Sequence, residues 1–344
     1  MSKTKSNDRK FLVFGDTQFH KWRATEDPSY WRFLIHQCML EIHNTVAKEK
    51  ITDIVFLGDL FESRVNLDGM VVAYALKEFS DMITTFLDAD PERRVHLLAG
   101  NHDYFGSDCI LDVFSDLNER VEVHAHKASF VSYGKGGPTL LFLPYKCSLA
   151  NLKEGCVADV AFSHNAIAGT PLHSSATTTI TTQASSIDFA VVAKHLAPAK
   201  VLVLNGHYHD RRSFRDTNGL DIVNVGSPYS MSWRDVDAPE RGFSLAQPDN
   251  KVAGWFCIFP YTLPAFPRFL SDKQNARPID FVKPQAAPIL DRSKDKETRS
   301  QQSVHEVGGG SLQDAITAYT KLNTLNRESQ VRLSQLGLNI LGGK

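Results

Sequence analysis

This sequence lacks long hydrophobic runs and paired cysteines. No apolar stretch in the chain approaches the ~20 residues that span a bilayer, so we expect no membrane segment. The basic N-terminal segment MSKTKSNDRK is not followed by a hydrophobic region long enough for a signal peptide. The five cysteines are scattered, odd in number and without CxxC spacing, which favours reduced, mostly buried thiols. We therefore expect a cytoplasmic protein.

The sequence also lacks an excess of charge of either sign. Its formal net charge is -1, so any binding of nucleic acid has to come from a local basic patch. Hydrophobic residues make up 42% and charged residues 22%, as in an ordinary soluble globular protein. The length of 344 residues allows one large domain with an appendage, or two domains.

The chain does contain apolar, strand-like runs that each end in a cluster of polar residues. These runs and the residues that follow them are FLVF with Asp16, Gln18 and His20, IVFL with Asp59, VHLLA with Asn101 and His102, DVAFS with His164, and VLVLN with His207 and His209. Short β-rich runs that end in Gly, Asp or Asn are typical of buried strands that lead into loops. Ligands of open α/β sheets gather outside the carboxyl ends of the strands. The repetition therefore predicts one shared site.

The first third of the sequence predicts a βαβαβ unit. Apolar residues recur at helical spacing from Tyr30 to Lys50 and from Leu67 to Leu87. The predicted strands Ile51–Leu57 and Arg94–Ala99 follow these helices. Such alternation favours a parallel sheet that is covered by helices.

The pattern changes after this unit. From Val121 to Leu143 short strands are broken by glycines and a proline, which predicts a hairpin-rich sheet. The Ser/Thr-rich residues 173–186 are interpreted as a mobile surface loop. The last predicted strands are Val201–Asn205, Ile222–Val225, Gly242–Leu245 and Gly254–Phe259. We place the end of a compact domain, residues 1–262, near Thr262.

Two further segments follow that domain. Residues 263–310 are rich in proline, glycine and charge, as is typical of a linker. Residues 311–344 predict an amphipathic helix, because Ser311 is a suitable N-cap, Asp314 occupies the capping-box position and apolar residues recur on one face. An isolated helix gains most of its stability from packing. This helix either folds back onto the domain or docks on a partner.

The polar clusters suit hydrolysis of a phosphodiester by two divalent cations. Two cations ~3.5–4 Å apart lower the pKa of a bound water and stabilise the attacking and leaving oxygens. Asp59 is the predicted bridging ligand, because its strand exit is central between those of Asp16 and Asn101. Asn101 adds a carbonyl ligand without adding negative charge. Imidazole ligands come from three histidines, His164, His207 and His209.

Proton transfer is assigned to His102, the neighbour of Asn101. A histidine beside two cations and a phosphate can stabilise charge and protonate the leaving oxygen. Asp103 is expected to orient His102, because a carboxylate often fixes a histidine tautomer.

In this order, GDLFE, GNHD, a lone SH and GHYH resemble the calcineurin-like metallophosphoesterase superfamily. Within it, GDLFES, GNHDYF and GSPYSMSWRD followed by GF are similar to SbcD-like nuclease subunits of double-strand-break repair complexes and to phage recombination endonucleases. The resemblance covers roughly Phe11 to Leu245. It implies an α/β fold with a central β-sandwich flanked by helices. It also implies DNA exonuclease or endonuclease activity in repair or recombination, in a bacterial or phage-encoded protein.

The resemblance further implies cofactors, ligands and partners. Two divalent ions are expected, with Mn²⁺ favoured over Mg²⁺, Fe²⁺ or Zn²⁺. Site one would consist of Asp16, Asp59 and His209. Site two would consist of Asp59, Asn101, His164 and His207, with His102 as the acid. The implied partners are DNA and an SMC-like coiled-coil ATPase held by residues 311–344, and a homodimer remains open.

Two positions depart from the family pattern. The family usually has a histidine two residues after its first aspartate, where this chain has Gln18. We favour Gln18 as the ligand and place His20 behind it, with His20 as the alternative ligand. The nuclease branch often has a DNA-positioning histidine three residues after the bridging aspartate, where this chain has Glu62. This departure leaves the expected hydrolysis intact and concerns the handling of substrate.

Other polar residues are open to two interpretations. Arg211 and Arg212 follow GHYH directly and either grip phosphates or belong to a solvated loop. With His20 and Glu62 they are the candidate substrate-binding residues. The remaining histidines are interpreted as structural, namely His36, His43, His96, His124, His126, His195 and His305. Two alternative functions stay open, a small-substrate phosphatase or phosphodiesterase and a non-catalytic interaction scaffold.

Overall fold

The computed structural model describes residues 9–21, 30–63, 67–168, 170, 186–196, 202–229, 242–249 and 254–262. Two six-stranded sheets pack face to face, and helices cover their outer faces. The strands in chain order are β1 Phe11–Phe14, β2 Asp53–Phe56, β3 Arg94–Leu98, β4 Tyr104–Phe105, β5 Asp108–Cys109, β6 Val121–His124, β7 Ser129–Ser132, β8 Thr139–Leu143, β9 Val160–Ser163, β10 Leu202–Asn205, β11 Arg212–Arg215, β12 Asp221–Asn224, β13 Gly242–Asp249 and β14 Gly254–Thr262. The α-helices are α1 Tyr30–Glu49, α2 Gly69–Asp88 and α3 Phe189–Ala193, and a 3₁₀ helix spans Ile110–Phe114. The predicted α/β sandwich is confirmed.

The first sheet contains the predicted βαβαβ unit. Its strand order is β14-β13-β1-β2-β3-β6, and β1, β2, β3 and β6 run parallel. The helices α1 and α2 connect its central strands, as the sequence predicted. The prediction for Val121 to Leu143 was partly wrong, because β6 pairs in parallel with β3 and only β7 and β8 form a hairpin. The difference arises because β6 extends a sheet whose other strands lie far away in sequence.

The second sheet has the strand order β11-β12-β10-β9-β8-β7. Its four central strands are parallel, and the edge strands β7 and β11 are antiparallel to their neighbours. The strand β11 was not predicted, since the Arg-rich sequence RSFR carries little apolar character. It is held to β12 by its backbone pairing and by a two-pronged ion pair from Arg215 to Asp221.

Strand alternation explains the layers. Along β1, Phe11 and Val13 point into the apolar layer between the sheets, while Leu12 and Phe14 point toward the helices. A strand buried on both faces is continuously apolar, which is why FLVF contains no polar residue. The layer under the helices is rich in aromatic contacts, and the rings of Phe56 and Phe79 lie 5.3 Å apart at an angle of 65°.

Three predicted segments lie largely or wholly outside the described residues: the Ser/Thr-rich loop before Ser186, the linker 263–310 and the helix 311–344. Among the helices that the structure describes, none combines the length and apolarity needed to cross a membrane.

Candidate functional site

The predicted site residues lie on loops that leave the carboxyl ends of parallel strands in both sheets. Asp16 follows β1, Asp59 follows β2, Asn101 follows β3, His164 follows β9 and His207 comes two residues after β10. The two sheets meet at these loops, because the backbone amide of His207 donates to both carboxylate oxygens of Asp16 at 3.1 Å. The geometry therefore gathers side chains from the whole length of the domain.

The loops hold several of these residues in an unusual backbone conformation. Positive φ angles occur at Asp16 (50°), Gln18 (41°), Asp59 (59°) and His207 (73°). Residues with a Cβ rarely adopt this left-handed region, and such strain persists only where the surroundings fix it. Four such residues in one place indicate that the surrounding structure fixes the positions of their side chains at the expense of backbone strain.

Three buried groups form the centre of the site. Ligand atoms of Asp16, Asp59 and His164 all lie within 4.8 Å of one another, and each residue is at most 2% exposed. The Nε2 atom of His164 lies 3.3 Å from Oδ2 of Asp59 and 3.3 Å from Oδ1 of Asn101. On the far side of Asn101, the same Oδ1 lies 2.8 Å from Nδ1 of His207.

The ring of His164 is oriented by the backbone of the opposite sheet. Its Nδ1 atom is hydrogen-bonded to the carbonyl oxygen of Leu57 at 2.5 Å, so Nδ1 carries the proton and Nε2 faces the oxygens of Asp59 and Asn101. A metal-binding histidine usually donates its second ring nitrogen to a carbonyl or carboxylate in this way. The arrangement presents Nε2 as a ligand.

The electrostatics of the site call for positive charge. Burial is the main cause that raises the pKa of Asp16 to about 7, and the negative charge of Asp59 adds to it. Burial also acts to raise the pKa of Asp59, but His164 outweighs it and lowers that pKa to about 2. In turn, the two carboxylates overcome the effect of burial on His164 and raise its pKa. Buried carboxylates this close together are stabilised by cations.

Two glycines leave the room that such cations need. A Cβ atom on Gly100 would lie 2.3 Å from Oδ1 of Asp59, and one on Gly206 would lie 2.8 Å from Nδ1 of His164. Because both clashes involve the candidate ligands themselves, any side chain at these positions would displace them. Buried carboxylates, an oriented imidazole, an amide oxygen and side-chain-free loops together fit a site for divalent cations.

Asp103 contacts backbone amides instead of the ring of His102. Asp103 is buried, and its carboxylate accepts from the backbone amides of Asp59, Leu60 and Gly100 at 2.8–3.0 Å. Asp103 therefore ties two metal-site loops together and does not orient His102. The Nδ1 atom of His102 is buried without a hydrogen-bond partner among the described residues, while its amide donates to Oδ1 of Asp59 at 2.7 Å.

The other candidates have mixed outcomes. The guanidinium of Arg211 donates to the carbonyls of Val225, Gly242 and Phe243, so it clamps β13 to the loop after β12. Its role in gripping phosphate stays a prediction, beside this structural contact. Arg212 is half-buried at the start of β11, and Glu62 is exposed. His209 is half-buried and lies close enough to His207 to depress its pKa.

The position of Gln18 agrees with a ligand role more readily than that of His20. Gln18 is 6% exposed, and its backbone N–H donates to the backbone carbonyl of Asp59 at 2.9 Å. Nδ1 of His20 is bonded to the backbone carbonyl of Gln18 at 2.7 Å, so this ring supports the loop that carries Gln18.

Sequence analysis missed one part of the site wall. The amide of Ser227 donates to the carbonyl of His209 at 3.1 Å, and the hydroxyl of Tyr229 donates to the carbonyl of Thr17. The segment GSPY therefore joins the loop after β10 to the loop after β1. Its position could have been suspected from the motif GSPYSMSWRD, which followed the polar clusters without an assigned role.

Comparison with known proteins identifies the family. The profile of the calcineurin-like phosphoesterases matches residues 9–226, which is well over half of the chain and includes each residue of the central cluster. The chain belongs to this family. It is a metal-dependent phosphoesterase, and the family uses two metal ions.

The solved structures that this chain resembles share little sequence identity with it. A dimetal phosphatase from Danio rerio shares 14% identity over 70% of this chain and 92% of its own, with a TM-score of 0.40. Nuclease MPE from Pseudomonas putida shares 13% sequence identity over 69% of this chain and 84% of its own, with a TM-score of 0.30. The phosphoesterase Yfce from E. coli shares 13% sequence identity over 70% of this chain and 88% of its own, with a TM-score of 0.32. No curated protein sequence matches the chain significantly.

The central position of Asp59 predicts the effect of its removal. Asp59→Ala should lose both metals and nearly all hydrolysis, because its carboxylate faces His164 and is the predicted ligand of both ions. Metal content per chain, measured by plasma mass spectrometry, checks this. Asp81→Ala, an exposed carboxylate on α2, is the control and should keep both ions. Two metals per chain in Asp59→Ala would exclude the bridging role.

The contacts of Gln18 and His20 predict unequal effects. Gln18→Ala should raise the Mn²⁺ concentration needed for half-maximal activity strongly, because it removes the ligand oxygen. His20→Ala should raise it only mildly, because it removes support for the loop. Circular dichroism of both variants controls for folding, and the reverse order of effects would assign the ligand to His20.

Proposed function

We propose that this phosphoesterase is a DNA nuclease of the SbcD-like type, acting in repair or recombination. The observation that carries the proposal is the position of the GSPY segment, which is part of the sequence similarity to that branch. Ser227 and Tyr229 bind the carbonyls of His209 and Thr17, so this segment forms a wall of the site. A segment that takes part in the resemblance to the nuclease branch therefore supports two loops of the site.

The proposal assigns the ligands as follows. Site one is held by Asp16, Gln18, Asp59 and His209. Site two is held by Asp59, Asn101, His164 and His207. When bound, the two cations supply charge neutralisation on the phosphate and activate a water molecule. Mn²⁺ is favoured, since the set of oxygen and imidazole ligands suits it and the sequence resemblance points to it.

The protein's own groups prepare the site for an anionic substrate. Asn101 contributes an oxygen without negative charge, and burial, with His164, lowers the pKa of His207 to about 4, so that His207 is a neutral imidazole. The amide of His102 is fixed on Asp59, which places its ring beside the centre. His102 lies close enough to Asp59 to lower the pKa of that carboxyl, and we assign to its ring the proton given to the leaving oxygen.

The substrate class is tested directly. The full chain with Mn²⁺ is incubated with end-labelled linear duplex DNA, circular duplex, single-stranded DNA, a chromogenic phosphodiester and a chromogenic phosphomonoester. We expect cleavage of DNA and of the phosphodiester, and Asp59→Ala is the blank. Hydrolysis of the monoester with DNA left intact would replace the nuclease by a small-substrate phosphatase. No hydrolysis of any substrate by metal-loaded protein would favour the interaction scaffold.

The assignment of His102 predicts that activity and metal content can be separated. His102→Ala should lose most turnover, about 10²-fold or more as is typical for a general acid. Its metal content should stay near that of the unaltered protein, because neither ring nitrogen of His102 is assigned as a ligand. The loss should shrink on a phosphodiester with a better leaving group, which needs less protonation. Metal lost in step with activity would make His102 a ligand.

The segment 311–344, which lies outside the described residues, is proposed to dock on a coiled-coil ATPase subunit. An amphipathic helix gains affinity from its buried apolar face, and its covalent link keeps it near the catalytic domain. Truncation after Thr262 should keep hydrolysis of small or single-stranded substrates and abolish capture of the ATPase. A truncated chain with a much lower melting temperature would show that the helix packs on its own domain. Size-exclusion chromatography with light scattering of both forms would also reveal a homodimer.

A further inference from the structure

A second group of candidate ligands lies in the first sheet, away from the phosphoesterase site. It consists of His96 on β3 and of Glu122 and His124 on β6, and we refer to it as the edge cluster. All three alternate onto the face that looks toward the other sheet, beside Leu98. The member nearest to the phosphoesterase site is His124, which pairs with Leu98; Leu98 precedes Asn101 by three residues, which at about 3.3 Å per residue is on the order of 10 Å along the chain direction. The edge cluster is therefore separate from the site described above.

The distances within the edge cluster match those of a coordination sphere. Nδ1 of His96 lies 3.3 Å from Nε2 of His124, and a carboxylate oxygen of Glu122 lies within 4.8 Å of both. Two imidazole nitrogens on a tetrahedral zinc ion, each at about 2.0–2.1 Å, are separated by roughly 3.3 Å. The two rings already have this spacing.

Each imidazole is supported on its other nitrogen. Nε2 of His96 lies 2.8 Å from the hydroxyl of Tyr133, and that hydroxyl donates to Oδ1 of Asp53 at 2.6 Å. Nδ1 of His124 lies 2.9 Å from Oγ of Ser129. Metal-binding histidines usually have such a partner, which fixes the ring and the tautomer. Here both rings have such a partner, and their other nitrogens lie next to each other.

Packing against Phe142 holds the rings of His96 and His124 in place. The ring of His124 stacks on Phe142 at 3.8 Å with an angle of 2°, and that of His96 stacks on Phe142 at 4.9 Å. Burial lowers the pKa of both histidines, that of His124 to about 3. Rotation of either ring would break a stack and a hydrogen bond.

Glu122 is the charged and partly exposed member of the edge cluster. Its side chain is 34% exposed and lies 3.5 Å from the guanidinium of Arg94. It stands on β6, the edge strand of its sheet, and it is the most exposed member of the edge cluster, since both histidines are buried. Two imidazoles and one carboxylate form a set of ligands that zinc accepts.

We propose that the edge cluster binds one Zn²⁺ ion through Nδ1 of His96, Nε2 of His124 and the carboxylate of Glu122. The ion joins the edge strand β6 to β3, and through Tyr133 and Ser129 it connects that edge to the opposite sheet. This role is structural and does not depend on the proposed nuclease activity. The alternative is a hydrogen bond between the two rings, with Nε2–H of His124 donating to Nδ1 of His96.

The test is a count of zinc per chain. Full-length protein is stripped with a chelator, dialysed against Zn²⁺ and analysed by plasma mass spectrometry. His124→Gln should bind one equivalent less than the unaltered chain, and Glu122→Gln should bind that equivalent at least about tenfold more weakly. Asp59→Ala, which is altered in the other site, should retain it. Equal zinc content and affinity in all the edge-cluster variants would overturn the proposal and leave the hydrogen bond.

Two further measurements keep the result independent of folding. Arg94→Ala removes the ion pair to Glu122 without removing a ligand, so it should keep the zinc equivalent at equal or higher affinity. Co²⁺ added to stripped Asp59→Ala should give the intense visible absorption of tetrahedral cobalt, and Glu122→Gln combined with Asp59→Ala should weaken it. If His124→Gln does not fold, the partly exposed Glu122→Gln decides. A featureless cobalt spectrum in Asp59→Ala would contradict the site.

Discussion

Two buried carboxylates at the junction of the sheets, Asp16 and Asp59, impose the condition that the rest of the structure satisfies. Neither is more than 2% exposed, and a buried carboxylate is costly unless positive charge or hydrogen-bond donors surround it. The amides of His102 and His207 and the imidazole of His164 meet part of this requirement. Divalent cations meet the remainder. The site can therefore be understood as the place where the fold concentrates negative charge and then attracts its neutralisation.

The sandwich provides the rigidity that this concentration of charge requires. Parallel strands end together at one edge, and the apolar layer between the sheets fixes the distance from which the two groups of loops meet. Left-handed backbone at Asp16, Gln18, Asp59 and His207 is maintained because the strands before these residues cannot shift. Asp103 binds amides of two of the loops and so transmits the position of one to the other.

The features that sequence could predict are those encoded locally. An apolar run that ends in glycine and a polar residue identifies a strand exit, so Asp59, Asn101 and His164 were expected to meet, and they do. The clamp formed by Arg211 could not be predicted, because it depends on carbonyls of β13. The proximity of His96 and His124 was also not predictable, since it results from β6 joining β3 in parallel. A pattern that depends on strand pairing between distant segments leaves little trace in any one of them.

The bond between His207 and Asp16 joins residues that are 191 positions apart. Closing a loop of that length has an entropic cost, and a contact of this kind forms only when both sheets are nearly complete. A chain that emerges during synthesis therefore carries Asp16 and Asp59 long before the second group of loops exists. Until His164 and His207 have been added, the hydrolytic centre lacks two of its predicted ligands. The long separation in sequence therefore means that the complete set of ligands comes together only after the second sheet has formed.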